Sequence, residues 1–158
     1  MELELMTALG KAGAAAALGL AAVGSALGTG SAGMAAIGAW KKAYAQNKSA
    51  PFILITFIGA PLSQTIYGMI LMNLMLGVSE QALQQGASFL DWPAMLAAGL
   101  FGGLAMGASS WFQGKAGAAA ADALGETGQG FGNYLMTIGI VETVALFVLV
   151  FIQGTFVS

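Results

Sequence analysis

The stretch Asn133–Ile152 is an apolar run broken by one charge, Glu142. About 20 consecutive apolar residues suffice to cross the hydrocarbon core of a bilayer as a helix, so this run reads as a membrane span. A carboxylate near the centre of such a span costs about 2.5–3.5 kcal/mol on insertion scales. The next charged side chain toward the N-terminus is Glu126, a full loop away. An isolated intramembrane carboxylate points to ion handling and calls for polar partners on other helices.

The rest of the chain has the same character. Of its 158 residues 58% are hydrophobic and 8% charged, against roughly 25% charged in a soluble domain. Mean hydropathy is +0.81. So few charges cannot cover a surface facing water, and the chain is expected to lie in the cell membrane as a multi-pass protein with lipid as its solvent. There is no Cys and no His, which removes disulfides, thiolate nucleophiles, the usual transition-metal ligands and the commonest proton carrier near neutral pH. There is no Arg, and a net charge of −2 leaves no basic patch, which excludes nucleic acid as a partner. The start, Met1-Glu-Leu-Glu-Leu-Met6, is acidic, whereas a cleavable signal peptide opens on positive charge.

Charge and polarity divide the chain into four spans within a single membrane domain, 1–158. The first is expected at Leu9–Ala39, closed by the Lys41–Lys48 segment, and the second at Pro51–Val78, with Pro61 inside it as a point of kinking. The third is expected from Asp91, as N-cap with Pro93 in the first turn, to Leu124. The fourth runs from Phe131 to Phe156. The spans pair into two hairpins, repeat one over residues 8–78 and repeat two over 91–156. Ala32–Ala39 aligns with Gln113–Ala120, and Ala60–Ile66 with Ile138–Val144, which sets Gln64 opposite Glu142, each followed by Thr. The repeats have parallel topology. Lys41, Lys42 and Lys48 in the first turn, and Lys115 toward the second, put the hairpin loops 40–50 and 125–130 in the cytoplasm and both termini on the other side. Lys11 opposes that assignment weakly.

Gly99-xxx-Gly103-xxx-Gly107 and Gly24-xxx-Gly28 let helices approach closely. The fourth span is bulky, with Phe147, Phe151 and Phe156. Small helices inside and bulky helices outside is how concentric rings pack. Ordinary packing in a monomeric four-helix bundle also accounts for the stripes.

Counting from the cytoplasmic turns at about 1.5 Å per residue, Glu142 lies roughly 20 Å deep, Gln113 roughly 17 Å and Gln64 roughly 21 Å. Three polar side chains on three helices thus share one level. Ser63, Thr65 and Thr143 sit beside them, and Tyr67 is nearly one turn below Gln64. A carboxylate with neutral oxygen donors suits a hard monovalent cation. A proton needs only one acceptor, so the surplus of oxygens favours Na⁺ over H⁺. Taken singly, Gln64, Gln113 and Ser63 also fit as interhelical hydrogen-bond glue.

With these residues in view, the sequence resembles the four-helix proteolipid, the c or K subunit of the membrane rotor ring in V-type and A/V-type ATPases. Val141-Glu-Thr-Val-Ala-Leu146 resembles the family's carboxylate segment. Gln113-Gly-Lys-Ala116 resembles a third-helix segment of its sodium-dependent bacterial members, and Pro61-Leu-Ser-Gln-Thr-Ile-Tyr-Gly68 their Pro-x-Thr-Gln-x-x-Tyr-Gly. The resemblance implies Na⁺ ligation by Glu142, Gln64, Gln113, the Ser63 hydroxyl and the Ala60 carbonyl, with Tyr67 hydrogen-bonded to the carboxylate; Thr65 and Thr143, beside these residues in sequence, are expected in the shell behind them. Ser63 stands where the family has Thr, keeping the hydroxyl and losing a methyl.

The resemblance further implies a homo-oligomeric ring surrounded by lipids and turned by ATP hydrolysis in a soluble headpiece, the chain itself being non-catalytic. It implies central-stalk subunits at the cytoplasmic loops and a stator membrane subunit supplying the Arg this chain lacks. No G-x-x-x-x-G-K-[ST] motif is present, in keeping with ATP chemistry on partners and no organic cofactor. One carboxylate per four helices implies fewer ions per turn and more ATP per ion. A proton-carrying ring of the same family and a small ion-coupled secondary transporter are the alternatives. A purely structural scaffold would leave Glu142 unexplained.

Overall fold

The structure, a computed structural model, describes residues 2–86 and 90–156. It is all-helical, with no strand among the described residues. Helix α1 spans Glu2–Ala45, α2 Ile55–Gly59, α3 Ser63–Gln84, α4 Trp92–Thr127 and α5 Phe131–Gly154. The 3-10 turns Phe52–Leu54 and Ala60–Leu62 lead into α2 and join it to α3, so Phe52–Gln84 acts as one span. Four spans are therefore long and apolar enough to cross a membrane, and the chain is a multi-pass membrane protein.

The first three spans outrun their expected limits. α1 starts at Glu2 and ends at Ala45 rather than covering Leu9–Ala39. α3 continues past Val78 to Gln84, and α4 past Leu124 to Thr127. α5 stops at Gly154, short of Phe156. Polarity marks where a chain leaves lipid, but Lys, Glu, Gln and Ala are good helix formers and carry the helix on into water. With 44 residues, α1 is about 66 Å long, roughly twice the hydrocarbon thickness. Its acidic first turn, Glu2 and Glu4, and basic last turn, Lys42, both suit the helix dipole.

α4 begins as the sequence predicts. The Asp91 carboxylate accepts from the Ala94 N–H at 3.4 Å, with Pro93 in the first turn. It stops at Gly128, whose φ of 66° is left-handed and whose N–H donates to Leu124 O at 2.8 Å, a conformation Gly adopts without a Cβ clash. Pro61 lies in the Ala60–Leu62 turn. Lacking an N–H, it interrupts the helical ladder between α2 and α3. The Trp40 indole N–H donates to Pro51 O at 2.8 Å and closes the first hairpin. Lys42 pairs with Glu126 across the two hairpin turns, so both turns lie at one end of the molecule.

α1 and α4 run parallel with their backbones in contact. Gly13 faces Gly99, Gly24 faces Gly107 and Gly28 faces Gly114, and a methyl at Gly24, Gly99 or Gly114 would collide with the opposite main chain. A Cβ at Gly103 would sit 2.8 Å from Ala16 O. Gly68 brings α3 onto α1 in the same way, since its Cβ would lie 2.8 Å from that of Ala21. The α5 glycines Gly132, Gly139 and Gly154 have no such neighbours. α5 buries only Ile138, Ala145 and Leu149 and exposes Met136, Ile140, Phe147 and Phe151.

The apolar core is split in two. One cluster, with Ala17, Leu71, Met75, Met95 and Leu149, fills the end away from the hairpin turns. The other, with Ala36, Leu54, Phe57, Leu124 and Ile138, fills the end beside them. Between the two lie Ser25, Gln64, Ser110 and Gln113, all buried.

Glycines inside and outside the seam should respond oppositely to an added methyl. Gly114→Ala should destabilise the protein by about 1–3 kcal/mol or more through overpacking. Gly38→Ala, with nothing within 4 Å, should stabilise by about 0.5–1 kcal/mol. Thermal unfolding in detergent reads both. Equal shifts would mean that the α1–α4 contact is looser than described.

Candidate functional site

Three helices meet at the level between the apolar clusters. On α5, Ile138, Glu142, Ala145 and Leu149 form one stripe at helical spacing, and its other three members are buried. Glu142 therefore points inward, yet it is only half-buried because α5 packs lightly. On α4 the inward face carries Ser109, Ser110, Gln113 and Gly117. On α3 it carries Gln64 and Gly68, with Tyr67 one turn from Gln64.

The side chains form a continuous chain of hydrogen bonds. Tyr67 Oη donates to Glu142 Oε1 at 2.6 Å, and Gln113 Nε2 donates to Glu142 Oε2 at 3.2 Å. Gln113 Nε2 also donates to Ile138 O at 3.3 Å. Gln113 Oε1 accepts from Gln64 Nε2 at 2.8 Å. Gln64 Oε1 accepts from Ser63 Oγ at 3.1 Å, and the same hydroxyl lies 3.1 Å from Ala60 O. Gln64 and Gln113 are 0% exposed. A short hydroxyl–carboxylate contact such as that of Tyr67 is a charge-assisted bond, about twice as strong as a neutral one.

The depth count from sequence is thus met in space: Glu142, Gln113 and Gln64 touch in series, and Ser63, Ala60 and Tyr67 adjoin them. The two threonines do not join. Thr143 is exposed, its hydroxyl donating to Ile140 O at 2.7 Å within its own helix. Thr65 is half-buried and takes no part in the chain. Sequence adjacency put both beside the site, but consecutive residues on a helix point about 100° apart.

Two serines were not singled out from sequence. Ser109 Oγ donates to Val141 O at 2.9 Å, one residue before Glu142. Ser110 Oγ donates to Pro61 O at 2.6 Å and accepts from Ser25 Oγ, 3.2 Å away. Adjacent residues on α4 thereby hold both outer helices, at the proline break and beside the carboxylate. Their spacing of four and three residues before Gln113 put them on its face, which was the available signal.

The donor set is all oxygen: one carboxylate, two amide carbonyls, one hydroxyl and one main-chain carbonyl. Among the described residues no three of His, Cys, Asp or Glu cluster. A single charge with neutral oxygens suits a hard monovalent cation better than a multivalent one.

These features describe a polytopic helical membrane protein with one carboxylate held between three of its helices. Residues 96–152, most of α4 and nearly all of α5, match the family model for the C subunit of ATP synthase. The matched stretch contains Ser109, Ser110, Gln113 and Glu142 and stops short of Gln64, Ser63 and Tyr67 on α3. Comparison with curated proteins gives no match.

Ser110→Ala should destabilise by about 1–3 kcal/mol, because it strips a partner from the Pro61 carbonyl in a buried setting. Thr143→Val, on the exposed face, should stay within about 0.5 kcal/mol of the parent. Unfolding midpoints in detergent distinguish the two, and a neutral Ser110→Ala would show that the proline break holds itself.

Proposed function

We propose that the chain is a four-helix proteolipid of a V-type or A/V-type rotary ATPase, forming a homo-oligomeric rotor ring that carries Na⁺ at Glu142. The observation that carries this reading is the contact of Glu142 with Gln113, and through it with Gln64, at one level of a membrane span. The match of 96–152 to the C subunit of ATP synthase supports a rotor role for the same hairpin.

In this reading Glu142 supplies the charge, and Gln64 Oε1, Gln113 Oε1, Ser63 Oγ and the Ala60 carbonyl complete an oxygen cage. Gln113 and Gln64 turn their amides together, which keeps the two paired donor to acceptor and brings the Gln113 oxygen rather than its nitrogen to the ion. Tyr67 holds one carboxylate oxygen, which keeps the side chain facing in. Na⁺ and the carboxylate together are neutral, and a neutral pair passes the lipid face of a ring at far lower cost than a bare carboxylate. The half-buried position of Glu142 under a lightly packed α5 leaves it open to a half-channel from the side.

The chain itself is non-catalytic. ATP hydrolysis belongs to partner subunits, and a stator subunit supplies the Arg that displaces the ion. Central-stalk subunits meet the hairpin turns in the cytoplasm, with the termini opposite. Lipids surround the assembly.

Carbodiimide labelling tests site and ion together, since the reagent attacks a protonated membrane carboxyl. Glu142→Gln should abolish labelling. Millimolar NaCl near neutral pH should slow it in the parent, and KCl should not. Gln113→Ala or Gln64→Ala should weaken Na⁺ protection by at least about tenfold. Labelling indifferent to Na⁺ would make the ring a proton carrier. Native mass measurement tests assembly separately: many copies support the rotor, and a stable monomer or dimer sinks it.

A further inference from the structure

Ser109 makes a bond that the oxygen cage does not use. Glu142 stands on α5, which buries only Ile138, Ala145 and Leu149. Two grooves open along the seam between α5 and α4. One, of about 460 Å³, lies between Phe101 and Ala105 of α4 and Val144 and Val148 of α5. The other, of about 270 Å³, lies toward the hairpin turn, between Ala116 and Ala119 of α4 and Tyr134 and Thr137 of α5. Ser109 falls between Ala105 and Ala116, and Val141 between Thr137 and Val144, at helical spacing. The bond from Ser109 Oγ to Val141 O, 2.9 Å long, therefore closes the seam between the two grooves, one residue from Glu142.

The two repeats differ at this point. In repeat one Gly68 lets α3 lie directly on α1. The repeat alignment places Leu146 there on α5, and Leu146 is exposed. The same alignment places Ser109 of α4 where α1 has Gly28. Repeat one closes by backbone approach, and the carboxylate-bearing repeat closes by a hydroxyl.

Among the described residues Ser109 and Gln113 supply the side-chain hydrogen bonds from α4 to α5. Gln113 reaches Glu142 and Ile138 O through its amide nitrogen. Turning that amide to present oxygen to an ion breaks both bonds. The Ser109 bond involves no atom of the cage and survives the turn. Val141, inside α5, also gives its carbonyl to the helical ladder, and the second lone pair is the one Ser109 uses. Loss of the hydroxyl thus orphans no buried carbonyl. What it removes is the fixed placement of α5.

We propose that Ser109 is a positioning residue for the ion site, tying α5 to α4 beside Glu142 in both orientations of the Gln113 amide. The inference rests on the reading of Glu142 as the ion carrier. Gln113 senses the ion, and Ser109 keeps the carboxylate within its reach.

The full chain, purified in detergent, is labelled with a carbodiimide. Two quantities are read: the rate of Glu142 labelling in Na⁺-free buffer, and the NaCl concentration that halves it. Ser109→Ala should quicken labelling several-fold and raise the protecting NaCl concentration about tenfold. Its unfolding midpoint should stay within about 4 °C of the parent. Ser109→Thr keeps the hydroxyl, and the grooves leave room for its methyl, so it should behave as the parent does. Ser79→Ala removes a buried hydroxyl that bonds Met75 O of its own helix, and should change neither quantity. Labelling of Ser109→Ala at the parent's rate overturns the inference. So does an equal loss in Ser109→Thr or in Ser79→Ala, since bulk or general loosening would then be the cause. If NaCl fails to protect even the parent, the Na⁺ reading falls on its own. The labelling rates then decide for Ser109, faster in Ser109→Ala if it positions α5 and unchanged if it does not.

Discussion

The backbone contact between α1 and α4 is the constraint on which the other features rest. In lipid no hydrophobic force drives one apolar helix onto another, so association depends on close packing and polar contacts. Gly24 against Gly107 and Gly28 against Gly114 supply the packing by leaving no side chain between the two backbones where they cross. The register so set holds α4 with Ser109 and Gln113 turned toward α5 and α3, and Ser110 between Ser25 of α1 and the proline break. Gly68 draws α3 onto the same pair. A seam one methyl wider would separate Gln113 from Gln64, now 2.8 Å apart.

That geometry makes a charge tolerable in the middle of a membrane protein. Glu142 receives one hydrogen bond from α3 and one from α4. The α4 donor is held in turn, Gln113 by Gln64 and Ile138 O, and Gln64 by Ser63. No buried side-chain nitrogen or oxygen among the described residues lacks a partner. The apolar clusters above and below exclude water from the layer and strengthen its electrostatics. Pro61 belongs to the same design. Its break in the helical ladder frees local main-chain geometry around Ala60 and Ser63, and Ser110 fixes the break to α4.

The two faces of the molecule divide the work. The α1–α4 side is glycine-rich and closely packed. The α5 side is bulky and shallowly packed, with three buried residues, and it carries the carboxylate. Elements with few buried contacts open at the lowest free energy. A carboxylate that must be reached from outside sits better on such a helix than on the seam.

The number of spans, the proline break, the Asp91 cap and the height of Glu142, Gln64 and Gln113 were legible in the sequence. Lipid acts on each segment by its own hydropathy, and a helix has a fixed rise, so span count and depth are local properties. Helix ends were less legible, because leaving lipid and ending a helix obey different rules, as α1 shows by running to Ala45. Rotation about each helix axis was not legible at all. Only packing turned Thr143 outward while its neighbour Glu142 faced in, and only packing gave Ser109 and Ser110 partners on two other helices. A serine in a membrane helix is cheap and commonly bonds its own backbone, so its type alone carries no direction. The sequence by itself determined which polar groups share a level, and the tertiary structure decided which of them touch, because neighbouring helices set the angle at which each side chain points.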